Sequence, residues 1–437
     1  MNLRRWCVPF GVATVMLMSM SAHAADPPAN MSVSKAPRLR EIVISVFDLE
    51  RTLAAFTGPL GWSVVERGPA DTTVARVFGL PVDTQIDQAL LSGLTRDGVQ
   101  IRLIAIRHDD KARTPIRPGG RWWDVGGFGP LQIAVADVDT AASGLARLGW
   151  TGNGVPQSSS EHRMIEMRGP DDLTISLAAG NRDSRDQTSG TVIVRDIAVW
   201  RRFMTEIVGL SNVVEAERRN VDPEFFGLPG SARGIADHRW ASIELSPTSH
   251  IDALQFSRAI GHDFSDGVRA PRLGVLALRL QVSDESMIAA RTKSPKALIA
   301  ADLQIERLSP YGTVRTMALR APGGLAIEMF APEAKPMTEA ELKSRFARGG
   351  YATWVRFNNM LTGNVRWNAD GTAHVVWDTG NLDELGTWTI KGDAVCTAWT
   401  RLRSNRELCV HHYRLDDRTT QSFRSETPQP DGIYTWH

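Results

Sequence analysis

A short apolar segment followed by an amphipathic helical segment recurs along the first 333 residues. Residues 42–46 are rich in β-branched side chains and predict a strand. Asp48 follows as a helix N-cap. The apolar positions of the helix recur at i, i+4 and i+7 and share one face: Leu49, Leu53 and Phe56. Further strands are predicted at three apolar segments: residues 62–66, 88–91 and 99–106. This order of elements defines a βαβββ module.

The module recurs at a fixed spacing. Asp196 follows Asp48 by 196 − 48 = 148 residues, and Phe-Gly-Leu-Pro at 78–81 returns 148 residues later at 226–229. Each copy is itself double, because residues 133–139 and 278–284 resemble the segment around the capping aspartate. The sequence therefore predicts four modules in two tandem domains, residues 38–181 and 187–333.

The composition changes after about residue 336. This part holds six of the 13 tryptophans: Trp354, Trp367, Trp377, Trp388, Trp399 and Trp436. Thr338 and Glu341 form a capping box, which predicts a helix over residues 337–348. Asn-Ala-Asp-Gly at 368–371 is a strong hairpin turn. We expect residues 337–437 to form a small antiparallel sheet or barrel, so the fold class of the whole chain is α+β.

The charges are balanced, and the N-terminus has the pattern of an export signal. Lys+Arg 50 against Asp+Glu 49, with no long run of one sign, argues against a nucleic-acid partner and against electrostatic docking to a membrane. Arg4 and Arg5, an apolar segment over 6–20 and Ala-His-Ala at 22–24 predict a signal peptide over residues 1–24. Residues 25–37 would be a linker. We therefore expect a periplasmic or secreted protein that leaves the membrane after cleavage.

Two of the three cysteines remain once the signal peptide is removed. Cys396 and Cys409 are 13 residues apart, and an even pair in an exported protein predicts a disulfide.

Paired βαβββ modules with Val-x-Asp-Leu-Glu-Arg-Thr opening the helix (46–52) and Leu-Gly-Trp closing it (60–62) resemble the vicinal oxygen chelate superfamily. Glyoxalase I, bleomycin-resistance proteins and extradiol dioxygenases belong to it. Pro-Gly-Gly-Leu-Ala-Ile-Glu-Met-Phe at 322–330 resembles the usual end of its second module. The resemblance implies that the sheets of two modules enclose one cleft, where His and Glu ligands hold a divalent metal.

Residues at the metal positions of that superfamily depart from its usual set. In the first domain the four positions fall on Glu41, Arg102, Pro130 and Ser176. In the second domain they fall on Ser189, Asp252, Ala277 and Glu328. The carboxylates Glu41, Asp252 and Glu328 are the remaining candidate metal ligands. We therefore expect no cofactor, although a divalent metal in the second domain remains an alternative.

Two arginines are candidate ligand-binding residues. Arg102 stands at a metal position, and Arg279 lies two residues past Ala277 on the same strand face. Either could bind an anion, and a cross-strand salt bridge is the competing interpretation. The leading hypothesis is a protein that binds a small organic, possibly anionic, molecule in its inter-module clefts. One alternative is a metal-dependent glyoxalase-type lyase or ring-cleaving dioxygenase acting from the second domain. Another is an interaction protein whose C-terminal β domain binds a partner. The sequence does not specify an oligomeric state.

Overall fold

The structure is a computed structural model of the whole chain. It describes residues 37–93, 98–152, 157–159, 162–179, 188–226, 228, 230–232, 234–246, 249–259, 261–332, 335–346, 349–356, 361–402, 406–415, 418–425 and 430–437. The predicted signal peptide, most of the linker and two residues of the second Phe-Gly-Leu-Pro segment, Gly227 and Pro229, lie outside the described residues. Within the described residues, no helix combines the length and apolar content needed to cross a bilayer.

The first module begins as the sequence predicts. The Asp48 side chain accepts a hydrogen bond from the Arg51 amide and so caps the first helix. The predicted apolar helix face is buried. Between helix and third strand, the Phe-Gly-Leu-Pro insertion contains a second short helix. The elements of this module are β1 (Arg38–Ser45), α1 (Leu49–Thr57), β2 (Ser63–Pro69), α2 (Thr72–Val77), β3 (Ile86–Ser92) and β4 (Gln100–Ile106).

The other three modules follow the same plan. Asp137 and Asp196 cap the helices of the second and third modules, and Ser283 caps the fourth. The second module comprises β5 (Phe128–Val135), α3 (Val138–Arg147), β6 (Thr151–Gly152), β7 (Gln157–Ser159), β8 (His162–Arg168) and β9 (Thr174–Ala179). The third comprises β10 (Thr188–Ile193), α4 (Ile197–Arg202, continued by a π-helical turn over Phe203–Ile207), β11 (Val213–Arg218), β12 (His238–Ser246) and β13 (Ser249–Phe256). The fourth comprises β14 (Gly274–Gln281), α5 (Asp284–Lys293), β15 (Ile299–Leu308), β16 (Gly312–Arg320) and β17 (Ala326–Ala331).

The modules pair in a nested order. One sheet has the strand order β15-β16-β17-β14-β1-β4-β3-β2, so it joins the fourth module to the first. The other has the order β11-β12-β13-β10-β5-β9-β8-β6, with β7 on β8, and joins the third module to the second. The sequence repeats 38–181 and 187–333 are therefore each divided between two sheets, instead of each closing on itself.

A physical reason for this pairing lies on the strands at its centre. β1 runs antiparallel to β14 with Glu41 opposite Arg279. A charged side chain on an otherwise apolar strand is buried at acceptable cost only beside an opposite charge. β5 offers Gln132 at the matching place, opposite Ser189 of β10. β1 therefore pairs with β14 through opposite charges, and β10 pairs with β5 through uncharged polar side chains.

The C-terminal part forms a closed barrel. The Thr338 and Glu341 capping box is present, with the Thr338 amide donating to Glu341 Oε2 at 2.8 Å. The helix brings Phe346 against the rings of Trp367, Trp388 and Trp436. The elements are α6 (Glu339–Phe346), β18 (Gly350–Arg356), β19 (Thr362–Trp367), β20 (Thr372–Trp377), β21 (Asp383–Lys391), β22 (Ala394–Trp399), β23 (Leu408–Arg414), β24 (Thr419–Arg424) and β25 (Pro430–Trp436). β18 closes the barrel on β25. The predicted α+β class with a separate β domain is confirmed.

Two further contacts define the barrel. Cys396 and Cys409 are opposite each other on β22 and β23 and are joined in a disulfide. The Gln421 side chain donates to the carbonyl of Ile305 at 2.7 Å and accepts from its amide. Ile305 lies on the outermost strand of its sheet, so the barrel covers an edge that would otherwise expose unpaired backbone groups.

Candidate functional site

Equivalent positions on the two curled sheets define two clefts. In the first sheet, Glu41 is opposite Arg279, which in turn is opposite Glu328. In the second sheet, the same pairings join Ser189 to Gln132 and Gln132 to Ser176. Val43 pairs with Arg102, and Thr191, 148 residues after Val43, pairs with Asp252. Asp252 therefore occupies the position of Arg102, as aligned from the sequence.

The first cleft is filled by four charged side chains, which we call the ionic quartet: Glu41, Arg102, Arg279 and Glu328. Arg102 donates from Nε and Nη2 to the two oxygens of Glu41 at 2.7 and 2.9 Å. Arg279 donates from Nη1 to Glu41, and its Nη2 lies 2.9 Å from Glu328 Oε2. All four side chains are at most 1% exposed. Two cations and two anions balance, so the cluster carries no net charge.

Further contacts hold the quartet in place. Arg102 also donates to Gln88 Oε1 at 2.8 Å and to the Ser309 carbonyl at 2.6 Å. Burial by itself would raise the pKa of Glu41, but the charges of Arg102 and Arg279 outweigh it and lower that pKa to about 2. The pKa of Arg279 is raised: burial would lower it, and the nearby Glu328 and Glu41 carboxylates overcome this effect. Glu41, Arg102 and Arg279 are therefore ionised at neutral pH.

The insertion of the first module covers this cleft. Arg76 on α2 forms a bidentate pair with Glu306 on β15, with N–O distances of 2.6 and 2.8 Å. The Ser309 amide donates to Asp71 Oδ2 at 3.0 Å. The filled cleft is thus closed inside by the quartet and above by the Arg76–Glu306 ion pair and the hydrogen bond from Ser309 to Asp71.

The donor set of the filled cleft does not fit a divalent metal. Its two carboxylates already neutralise two guanidinium groups, and Arg279 lies between them. A cation entering here would meet two fixed positive charges and only two oxygen-bearing side chains of the required kind. The same contacts limit anion binding, because an anion could reach Arg102 or Arg279 only by displacing Glu41 or Glu328.

The second cleft is partly exposed to solvent and has one charged group, Asp252, among the matching positions. Its polar residues are Gln132, Ser176, Ser189, His250 and Asp252. His250 and Asp252 have side chains 23% and 22% exposed, and His250 Nε2 lies 3.5 Å from Asp252 Oδ2. Asp252 Oδ1 is buried and has no hydrogen-bond partner among the described residues. We call this face the open cleft.

Aromatic side chains cover the open cleft. Trp122 donates from Nε1 to Glu166 Oε2 at 3.0 Å on β8, which belongs to the second module. The ring of Trp122 packs edge-on against Phe226, 5.3 Å between centroids, in the insertion of the third module. Phe226 in turn contacts Phe256 and His238, and burial lowers the pKa of His238. Apolar and aromatic contacts therefore replace the ion pairs that close the first cleft.

The structure regroups the residues that the sequence singled out. Glu41, Arg102, Arg279 and Glu328 come together in the filled cleft, although the tandem division assigned them to two domains. Asp252 and Glu328, proposed as ligands of one metal in the second domain, lie on different sheets. Ala277 lies two residues before Arg279, which is the member of the quartet on β14. Pro130 likewise lies two residues before Gln132, which holds the matching position on β5. Sequence reasoning missed His250 and Gln132; their alternation with apolar neighbours on β13 and β5 was the available signal.

Among the described residues, one group of three potential metal ligands lies close together. It consists of Cys396, Glu407 and Cys409. Both sulfurs are bonded to each other in the disulfide and are therefore not thiolates that could bind a metal.

No protein-family model matches the chain, and no curated protein matches it. Glyoxalase I from Zea mays is similar in structure over 68% of this chain and 92% of its own, with 14% identity and a TM-score of 0.46. A putative dioxygenase from Bacillus subtilis is similar over 69% and 87%, with 10% identity and a TM-score of 0.43. The fosfomycin resistance protein FosX from Listeria monocytogenes, complexed with Mn(II) and sulfate, is similar over 33% and 92%, with 18% identity and a TM-score of 0.20.

All three proteins are members of the vicinal oxygen chelate superfamily, the one that the sequence motifs resemble. With identities of 18% or less and TM-scores below 0.5, they transfer no activity, ligand or metal to this chain.

Proposed function

We propose that this protein binds a small organic molecule in the open cleft, without a divalent metal. The observation that carries the proposal is the difference in exposure at equivalent positions. His250 and Asp252 are 23% and 22% exposed, whereas the quartet is at most 1% exposed. A partly exposed set of polar side chains under an aromatic cover is the usual chemistry of a ligand pocket.

The polar groups of the open cleft suit hydrogen bonding more than metal binding. Gln132 and Ser176 supply neutral donors and acceptors, and Asp252 supplies a carboxylate whose Oδ1 lacks a partner among the described residues. His250 and Asp252 give two potential metal ligands, short of the three or four that hold a catalytic ion firmly. A ligand carrying a hydrogen-bond donor would satisfy the Asp252 oxygen, and its apolar part would pack on Trp122.

Blocking the open cleft tests this proposal. A panel of small organic molecules would be screened by thermal shift, and any hit titrated calorimetrically. Ser176→Phe places a ring among the polar residues of the open cleft and should abolish binding. Thr389→Phe, on an exposed position of the barrel, is the matched control and should bind as the unmodified protein does. Binding that survives Ser176→Phe would place the ligand elsewhere.

Metal content tests the second half of the proposal. Elemental analysis of the purified mature protein should show no stoichiometric Fe, Mn, Zn or Ni, before or after soaking with these ions. About one equivalent of metal, lost in Asp252→Ala or in Glu328→Ala, would contradict the metal-free proposal and favour the lyase or dioxygenase alternative.

We also propose that the protein acts outside the cytoplasm. The support is the N-terminal sequence pattern alone: paired arginines, an apolar segment and Ala-His-Ala at 22–24. N-terminal sequencing of the protein recovered from a periplasmic fraction should begin after Ala24. Recovery of the intact chain from the cytoplasm alone would contradict export.

A further inference from the structure

The filled cleft and the open cleft differ in the charges at their matching positions. The quartet of the filled cleft consists of two arginines and two glutamates. The open cleft has Asp252 in the place of Arg102, and it has neutral side chains in the other three places: Ser189, Gln132 and Ser176. The filled cleft therefore supplies its own cations, whereas the matching positions of the open cleft supply one anion and no cation.

The Asp252 carboxylate has few contacts within the described part of the chain. Its Oδ1 is buried and has no hydrogen-bond partner among the described residues. Its Oδ2 lies 3.5 Å from His250 Nε2, and His250 is a counter-charge only when it is protonated. No described arginine or lysine forms an ion pair with Asp252. A buried carboxylate oxygen without a donor is costly, so a ligand group that donates to it would remove that cost.

Two further charged residues lie on the same face, on β8. Glu166 is opposite Ser176, and it accepts a hydrogen bond from Trp122 Nε1. Arg168, two residues further along β8, donates to a backbone carbonyl at 3.0 Å. Arg320 holds the matching place on β16 of the first sheet and also donates to backbone carbonyls. An arginine at this place is therefore common to both sheets and does not distinguish the two clefts.

Aromatic side chains lie next to Asp252 on the same face of the sheet. Leu254 follows Asp252 by two residues on β13, so the two side chains point to the same side. Leu254 belongs to a hydrophobic cluster with Phe226, against which Trp122 and Phe256 pack. The face of an aromatic ring attracts a cation, most strongly where water is excluded. A carboxylate beside such rings suits a cation that has an apolar body.

We propose that the ligand of the open cleft is a small organic cation, whose ammonium or guanidinium group donates to Asp252 and whose apolar part packs on Trp122. A guanidinium group here would repeat the kind of pair that Arg102 forms with Glu41 in the filled cleft. This ligand class rests on the proposed function, since it concerns the same cleft.

The arginines that suggested an anionic ligand in the sequence do not belong to this cleft. Arg102 and Arg279 both lie in the filled cleft, where each pairs with Glu41. The charge that the matching positions of the open cleft present to a ligand is that of Asp252, and it is negative.

Four probes of similar shape test the charge of the ligand. Benzylamine and benzylguanidine are cations at neutral pH, benzyl alcohol is neutral and benzoate is an anion. Calorimetric titration at constant ionic strength, with EDTA present to remove metal ions, should give saturable binding of one or both cations. Benzyl alcohol and benzoate should bind at least about tenfold more weakly, because neither donates a charge-assisted hydrogen bond to Asp252. The cation that binds more tightly distinguishes an ammonium from a guanidinium ligand.

Two substitutions locate the charge that binds the cation. Asp252→Asn keeps the shape of the side chain, removes its charge and should weaken binding of the tighter cation by about tenfold or more. Asp87→Asn is the matched control, because Asp87 lies on the other sheet in an exposed pair with Arg107, and it should leave the affinity unchanged. Cation binding should also be lost in Ser176→Phe, which blocks the open cleft.

The outcomes separate the ligand class from the proposed function. Cation binding that is unchanged in Asp252→Asn would overturn the cationic class. Equally tight binding of benzyl alcohol or benzoate, lost in Ser176→Phe, would overturn the cationic class and leave the open cleft as a ligand site. The same conclusion follows if neither cation binds while a neutral or anionic molecule from the thermal-shift panel binds in this cleft. If no molecule binds there, the ligand class and the proposed function both fail.

Discussion

The filled cleft and the open cleft have the same strand pairings but different side chains at the equivalent positions. Strand pairings place Glu41, Arg279 and Glu328 in the first sheet where Ser189, Gln132 and Ser176 stand in the second. In the filled cleft the charged groups form ion pairs with each other and are almost completely buried, so they stabilise the joint between modules and are not exposed to a ligand. In the open cleft they are neutral or partly exposed, so the module joint depends on apolar packing. Polar residues at a family's site positions therefore indicate a binding site only when they are not already each other's partners.

The largest expected effect comes from removing one member of the quartet. Arg279→Met leaves Glu41 and Glu328 buried without that cation and should lower the free energy of unfolding by roughly 3–5 kcal/mol. Chemical denaturation followed by circular dichroism measures this. Arg291→Met is the matched control, because Arg291 lies in the same module in an exposed pair with Asp302 and should cost about 0–1 kcal/mol. Equal losses in the two variants would show that the quartet does not hold the sheet together.

Lowering the pH from 4.5 to about 2 should reduce the stability that the filled cleft gives to the fold. The pKa of Glu41 is lowered from its ordinary value of 4.5 to about 2 in the folded protein. A lowered carboxyl pKa stabilises the fold above the ordinary value, and this stabilisation, about 3 kcal/mol, is lost as the pH falls from 4.5 towards 2. Unfolding free energies measured across this window should fall more steeply for the unmodified protein than for Glu41→Gln. Parallel curves would mean that Glu41 has an ordinary pKa in the fold.

A double substitution measures how strongly the side chains of Arg279 and Glu328 interact. Arg279→Met combined with Glu328→Leu removes the cation and one of the carboxylates that it leaves unpaired, while Glu41 keeps its bidentate pair with Arg102. The double variant should be more stable than Arg279→Met alone by about 1–3 kcal/mol. A double-mutant cycle by chemical denaturation measures the coupling. Strictly additive losses would show that the two side chains do not interact.

The smallest expected effect is in the open cleft. Asp252→Asn removes a charge that is 22% exposed and has no arginine partner among the described residues, so the free energy of unfolding should change by no more than about 1 kcal/mol. The same denaturation assay checks it. A loss comparable to that of Arg279→Met would remove the energetic distinction between the two clefts.

Local features of the fold could be predicted from the sequence. Asp48 and Asp196 cap their helices as expected, and Thr338 and Glu341 form the expected box. These features depend on residues within a few positions of each other, which a single sequence displays directly. The turns of the barrel and the pairing of Cys396 with Cys409 were predictable for the same reason of short range.

Module pairing and the composition of each cleft could not be predicted in the same way. Glu41 and Arg279 are 238 residues apart, and the repeat favoured pairing each module with its neighbour. The charges themselves held the missing information, because Glu41, Arg102, Arg279 and Glu328 all stand on strands whose other buried positions are mainly apolar. Two acids and two bases in such positions need each other once buried. Asp252 has no arginine partner in the part of the chain that the structure describes, and its side chain stays partly exposed.

The nested order of the modules also determines when each sheet can be completed during synthesis. All strands of the sheet built from β5 to β13 lie between residues 128 and 256, inside the interval that separates β1 from β14. The inner sheet can therefore form as soon as its own residues have emerged, whereas β1 waits for residues 274–281 before its partner strand exists. Until then Glu41 has only Arg102 as a partner within the quartet, and one edge of the first module has no neighbour. A chain that stopped before residue 274 would keep the strands of the open cleft and lose the partner strands of the filled one.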